Sequence, residues 1–379
     1  MVIHKTPWRA VAAMFALNGA LFGMWASRIP AVKLQHALSE GSLGLLLLLM
    51  AAGAIVAFPF AGRAADRLGS ASITRRVAFA NLIALVLIGL APTVWALAVA
   101  LFLFGATHGG VDVAMNAWAA EVERRAERPM MSSFHAMFSL GAGVGAGTGF
   151  LAASYGVSIL SHFALCGVVI TAVTMWLAGI DWVSETSVSK GAPVFALPKG
   201  ALFFVGLVAF CSTIGEGGIA DWSAVYLQSV TGVTQAKAAL GYVVFSVAMV
   251  AMRLAGDRVV QTFGPLKTAR LAGVAATVGV MIAVGFGTYA TALIGFVLMG
   301  LGYALIVPLA FSRAANDPMV PQGVAIASVA TLGYGGILLG PPVIGFVAEA
   351  TSIRVAFGIL AVLALLIVGL SGALRQRQV

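Results

Sequence analysis

Twelve runs of mostly apolar residues dominate this chain, at roughly 9–29, 41–61, 74–91, 95–118, 131–153, 157–179, 200–226, 237–256, 268–286, 289–311, 323–347 and 353–373. A helix that crosses a bilayer needs about 20 such residues, so the pattern predicts an all-α integral membrane protein with twelve transmembrane helices. Composition agrees: 61% of the 379 residues are hydrophobic and only 9% are charged, against about a quarter charged in a soluble chain. The first run is long and no small-x-small cleavage site follows it, so it reads as a span rather than a removed signal peptide.

Charge placement orients the spans. With the N-terminus in the cytoplasm, eighteen of the 22 Lys and Arg residues fall in cytoplasmic segments, Arg253 among them. Only Arg28, Lys33, Lys237 and Arg354 fall outside. This is the positive-inside asymmetry, and it places both termini in the cytoplasm. It also accounts for the net charge of +9 through attraction to anionic lipid; nucleic acid is not implied. The two cysteines, Cys166 and Cys211, lie inside spans and give no disulfide framework or metal spacing.

The chain repeats itself. At an offset of 197 residues Trp25 falls on Trp222 and Gly44 on Gly241; at 195 Gly105 falls on Gly300; at 192 Leu140-Gly141 falls on Leu332-Gly333. Slowly drifting offsets suit two copies with small loop insertions. The reading is an N-terminal six-helix bundle over 1–180, a polar Pro- and Gly-bearing cytoplasmic linker over 181–199, and a C-terminal six-helix bundle over 200–379.

Two short connections carry a shared Asp-Arg pair: Gly62-x-x-x-Asp66-Arg67-x-Gly69 after the second run, and Asp257-Arg258 after the eighth. The first resembles the signature loop of the major facilitator superfamily, although the basic pair that usually follows the last glycine comes later, as Arg75 and Arg76. With the twelve spans and two halves, the resemblance covers the whole chain. The runs 112–146, 215–227 and 332–345 are similar to a narrower bacterial branch, MosC-like and near the fucose permeases, named for a rhizopine-associated membrane protein. The resemblance implies two pseudo-symmetric bundles and a secondary transporter working by alternating access. It also implies a central cavity lined mainly by spans 1, 4, 7 and 10, and a conformational-gating role for Gly62, Asp66, Arg67, Gly69, Asp257 and Arg258.

The residues point to where such a cavity would be polar. Ionisable groups within a membrane are costly and usually face a cavity or a partner. His108, Asp112 and Asn116 recur every four residues, on one face of the fourth span. His108 and Asp112 read as a proton-coupling pair beside a solute site; alternatively Asp112 pairs with an arginine of the 2–3 loop. Asn116 reads as substrate-binding or as a helix–helix hydrogen bonder. Glu216, between Gly215 and Gly217-Gly218, is the foremost candidate for both solute binding and proton coupling, against a structural ion pair. Asn18, His135 and Tyr303 are further solute contacts; the alternative for His135 is an interfacial histidine, and for Tyr303 a ring packed between helices. Asp221 reads as solvated or loop-capping, Trp25 and Trp222 as an aromatic belt, and Arg28 as a snorkelling side chain.

The expected function is proton-coupled uptake of a small polar solute (a sugar, polyol or inositol-like amine), the alternative being proton-antiporting efflux of a small metabolite or drug. Span 5 lacks the proline of the glycine-proline motif that drug exporters share, which weighs against efflux. No nucleophile–base set points to an enzyme, and no cofactor or metal is expected. The expected partners are the small-molecule substrate, protons and the lipid bilayer of a bacterial inner membrane, for a monomeric protein. Reporter fusions at residue 190 are expected to report the cytoplasm; an external signal there overturns this topology.

Overall fold

The computed structural model describes residues 6–127, 130–186 and 196–375. The middle of the expected linker, 187–195, lies outside the described residues, as do Lys5, Arg128, Lys190 and Arg377 of the charge asymmetry. Among the described residues there is no strand. The helices are α1 (Pro7–Gln35), α2 (Glu40–Leu68), α3 (Ser70–Leu90), α4 (Val94–Ala126), α5 (Met131–Ser154), α6 (Ile159–Ala178), α7 (Ala201–Thr231), α8 (Gln235–Phe286), α9 (Tyr289–Tyr303), α10 (Ile306–Ala315), α11 (Gln322–Ala350) and α12 (Ile353–Leu370).

Eleven helical segments among the described residues are long and apolar enough to cross a membrane, one fewer than the sequence predicts. The twelfth is inside α8. Its 52 residues would run about 78 Å if straight, more than twice the ~30 Å of a hydrocarbon core. Gly264 breaks it with φ 73 and ψ 162, and Pro265 follows. Glycine takes that positive φ without a Cβ clash, and a proline with no N–H to satisfy opens the second leg. The legs, 235–263 and 265–286, contain the eighth and ninth predicted spans. α9 and α10 together make the tenth, interrupted after Tyr303.

The helices group into two compact units. One holds Met1–Leu38, Leu49–Ser189 and Gln235–Val243; the other holds Ser39–Leu48, Lys190–Thr234 and Val244–Val379. The boundary read from sequence, at 181–199, does not anticipate that α2 and α8 each lend their first turns to the other grouping. In the second unit Glu349 Oε2 accepts from Ser39 Oγ (2.9 Å) and from the Gly41 N–H, capping the start of α2. The Pro341-Pro342-x-x-Gly345 stretch of α11 then offers a surface flat enough for Gly44 to lie on it.

Within the first unit α1 packs on α5 backbone to backbone. A side chain on Gly19 would strike the Phe138 carbonyl; on Gly23, that of Ala142; on Gly141, that of Ala16; on Gly145, that of Ala20. Lipid gives no hydrophobic drive for helices to meet, so close backbone approach through small residues supplies the contact. The repeat shows in the packing too. Gly105 of α4 sits against the Met50 carbonyl of α2, while Gly300 of α9 sits against the Phe245 carbonyl of α8. Both the glycines and their partners are 195 residues apart. In the second unit α7 meets α11 through Thr213 Oγ1, which donates to the Gly333 carbonyl at 2.8 Å.

Gly141→Leu is expected to cost about 3 kcal/mol or more through overpacking against a backbone that cannot withdraw. The measurement is the melting midpoint of detergent-purified protein. Gly147→Ala, at a position facing open space, serves as the control; equal stability of the two variants contradicts this account of the interface.

Candidate functional site

In the first unit the stripe of α4 divides into two environments. His108 is boxed by the rings of Phe22, Phe104 and Phe138, with centroids 5.3, 6.0 and 6.2 Å away. Its Nδ1 is buried with no hydrogen-bond partner among the described residues. One turn on, Asp112 is bonded within its own helix. Its Oδ1 accepts from Asn116 Nδ2 at 3.2 Å, and the same amide donates to the Asp112 carbonyl at 2.8 Å. Asp112 and Asn116 are thus one hydrogen-bonded pair, and among the described residues no ion pair joins Asp112 to an arginine of the 2–3 loop. His135 lies edge-on to Phe15 at 5.3 Å.

Asn18 is placed away from open space, at 1% exposure. Its Oδ1 accepts from Asn81 Nδ2 (3.4 Å), and Asn81 Oδ1 accepts from Thr107 Oγ1 (3.0 Å). The chain of amide and hydroxyl groups ties α1, α3 and α4 together, a helix-packing role for Asn18. Asn81 and Thr107 escape a sequence reading because neither is ionisable and neither has a periodic partner.

In the second unit Glu216 has a partner that the sequence assigned to a cytoplasmic segment. Arg253 lies on the first leg of α8, and its guanidinium is 3.6 Å from Glu216 Oε2. Ser212 Oγ is 3.4 Å from Oε1. Tyr303 is fully buried, with its hydroxyl unpartnered, and its ring lies against Gly215. Arg253 could have been noticed as the one arginine inside the run 237–256.

Several interfacial readings are corrected. Trp25 and Trp222 are both 0% exposed, so these repeat-related residues are core and not belt; Trp95, 85% exposed, is the kind of ring that meets lipid. Asp221 is 5% exposed with Oδ1 unpartnered among the described residues, and so is not solvated. Arg28 does not snorkel: it is 5% exposed and donates to the Val157 carbonyl at 2.8 Å.

Of the loop residues, Asp66, Arg67, Asp257 and Arg258 are exposed, while Gly69, with φ 88, begins α3. What holds this end of the first unit is a strap the sequence did not reveal, the segment 178–185 after α6. Glu121 accepts from Ser70 Oγ and from Trp182 Nε1, both at 2.8 Å. Ser184 Oγ accepts from the Ala71 N–H. Arg75 donates to the carbonyls of Ala178 and Ile180, and Arg125 stacks over Trp182 at 4.1 Å. Arg75, displaced from the usual loop position, thereby satisfies carbonyls at the end of α6.

Two cavities, of about 310 and about 220 Å³, lie at helix ends. Neither is lined by any of the candidate solute residues. Among the described residues no cluster of His, Cys, Asp or Glu could hold a metal ion.

Spanning helices with ionisable groups at mid-helix are the arrangement in which membrane transporters carry their polar pathways. The Major Facilitator Superfamily model matches residues 11–320, and the chain belongs to that superfamily. It is 47% identical over 372 residues to an uncharacterized transporter, y4wD, of Sinorhizobium fredii (strain NBRC 101917 / NGR234), covering 98% of this chain and 99% of that protein. It is 35% identical over 362 residues to the membrane protein MosC of Rhizobium meliloti, covering 93% and 87%. The fold superposes on a mutant of the nucleoside transporter NupG with a TM-score of 0.76 at 13% identity, covering 97% of this chain and 100% of that one; at that identity the likeness shows the fold alone.

Outside the spans, Asp317 and Arg313 close the end of α10 as a pair 2.9 Å apart, with side chains 7% and 4% exposed. Burial opposes ionisation of Asp317. The N–H groups of Met319 and Val320, with the hydrogen bond and charge of Arg313, outweigh it and hold the carboxyl below its ordinary range. A depressed native value adds stability above the unfolded value, near 4, which is lost as the pH falls through the native one. Asp317→Asn is therefore expected to lower the melting midpoint by about 2 °C at pH 7, with the difference closing below about pH 4. A constant difference down to the acid limit contradicts the pairing.

Proposed function

We propose that this transporter works by alternating access and couples proton movement to uptake of a small polar solute, a sugar, polyol or inositol-like amine. The observation that carries the reading is Glu216, an acid at the sixteenth of the 31 residues of α7, set 3.6 Å from the Arg253 guanidinium and 3.4 Å from Ser212 Oγ. A buried carboxylate that loses its partner must take a proton or a new cation. A group of that kind can bias a two-state equilibrium. His108 and Asp112 are the complementary candidates on α4. Asn18, Asn116, His135 and Tyr303 remain proposed as solute-binding, with Asn18 acting from behind through its network. The Asp-Arg loops, exposed here, act as gates in another state of the cycle. The setting is the bacterial inner membrane, both termini are cytoplasmic, and the working unit is the monomer. Efflux of a small metabolite by proton antiport is the second reading; the same coupling acid serves either direction.

Glu216→Gln mimics the protonated acid. In proteoliposomes it is expected to keep solute exchange and to lose accumulation driven by an imposed pH gradient. His108→Ala weakens the pH dependence less completely. Wild-type accumulation by Glu216→Gln removes Glu216 from the coupling role and leaves it as a structural ion pair.

A further inference from the structure

The smaller of the two cavities, about 220 Å³, lies where the break in α8 meets the end of α10 and the C-terminal turn. Val260, Pro265, Leu309, Ser312, Arg313 and Leu374 line it, and all six belong to the second unit. Four are apolar and one is a hydroxyl. The sixth is an arginine whose side chain is 4% exposed. Keeping a guanidinium from water is costly unless acceptors surround it, so its acceptors decide what the cavity can hold.

Arg313 is only partly answered. A guanidinium carries five N–H donors. Among the described residues Asp317 is its one acceptor, bonded through Nη1 at 2.9 Å, and Nε is buried without a partner. Asp317 Oδ1 accepts from the Met319 N–H at 3.0 Å instead, so the two-bond fork that arginine makes with a carboxylate is absent. The acid is divided between the helix end and the cation. The surrounding sequence leans positive. Arg258 stands two residues before Val260, Lys267 two after Pro265, and Arg375 follows Leu374. Within four positions of a lining residue, Asp257 is the one acid besides Asp317. At about 220 Å³ the cavity is smaller than the ~300–1,000 Å³ of drug-sized sites, which suits a compact anion.

We propose that this cavity is a phosphate-group site, with Arg313 as its cation and Ser312 as a hydroxyl donor, the apolar walls taking the carbons that carry the phosphate. The chemistry is shared by the head group of an anionic lipid and by a soluble phosphate. A helix end on the side that the charge asymmetry assigns to the cytoplasm stands at the level of lipid phosphates, where basic pockets between spans take anionic head groups. A phosphate offers several acceptor oxygens, so it serves the spare donors of Arg313 without displacing Asp317. Occupancy joins the Gly264-Pro265 break, the end of α10 and the C-terminal turn through one ligand. Neither Ser312 nor Arg313 is a solute or proton candidate, so failure here leaves the coupling reading untouched.

The test uses the purified full chain and two phosphate sources. In detergent, inorganic phosphate is compared with chloride at equal ionic strength. In nanodiscs, phosphatidylcholine alone is compared with phosphatidylcholine plus phosphatidylglycerol. A bound ligand raises the melting midpoint by mass action, here by about 2 °C or more for at least one source. Arg313→Gln combined with Asp317→Asn removes the cation without stranding the acid, and is expected to lose the rise. Asp317→Asn alone keeps or enlarges it, because the guanidinium is freed; a cation that only closes α10 gives no ligand-dependent rise at all. Arg124→Gln, at an exposed arginine of the first unit, keeps it. A rise with inorganic phosphate assigns the site to soluble phosphates, and a rise with phosphatidylglycerol alone assigns it to lipid. No rise with either source, a rise that persists in the double variant, or one lost equally in Arg124→Gln overturns the proposal.

Discussion

The dependence that runs through this molecule is close backbone contact between helices in a solvent that offers no hydrophobic reward for contact. Gly19 and Gly23 on α1 interlock with Gly141 and Gly145 on α5, each against the facing carbonyls. Gly105 and Gly300 do the same for α4 and α9. Where backbones cannot touch, hydroxyl and amide groups take over: Thr213 on the Gly333 carbonyl, and Thr107 through Asn81 to Asn18. Everything functional is carried on helices positioned by these contacts. A methyl group at one of those glycines displaces a helix axis, and with it every polar side chain on that helix.

Within that frame charge is placed sparingly and in different company. Asp112 is satisfied by the next turn of its own helix. His108 is enclosed by three phenylalanine rings. Glu216 faces a guanidinium from another helix across a gap longer than a hydrogen bond. The three surroundings assign different tasks. A carboxylate bonded within its own helix moves with that helix and resists change, and an imidazole among rings has no fixed proton partner. An ion pair between two helices depends on the placement of both. Of the three, only the last joins two helices, which is why Glu216 carries the functional proposal above.

Much of the candidate site was legible in the chain because an ionisable residue stands out against an apolar run: His108, Asp112, Glu216 and Asp221 need no structure to be noticed. Their partners were not legible. Arg253 lies in a different span, 37 positions from Glu216, and the charge count assigned it to the cytoplasm although the run 237–256 already contained it. The strap at 178–185 escaped because Glu121, Trp182 and Ser184 have no periodicity and their contacts cross two helices. Trp25 and Trp222 were misread for a related reason. A tryptophan near a span end meets lipid or protein according to the helix face, and the neighbours on that face come from tertiary packing.

By itself the sequence determined the solvent, the class and the count. Apolar runs of about 20 residues have no other stable fate than spanning helices, and the drifting offset of the repeats already implied two six-helix halves. Local chemistry was determined too: Gly264-Pro265 ends one leg and starts the next in any context. Only the tertiary structure decided which polar groups meet, and that α2 and α8 lend their first turns to the other grouping. The reason is physical: helix formation is settled by each segment with its solvent, whereas the partner of a buried charge depends on the rotation and depth of two helices at once. A rotation of one residue, about 100°, would have turned Arg253 from Glu216 to the lipid.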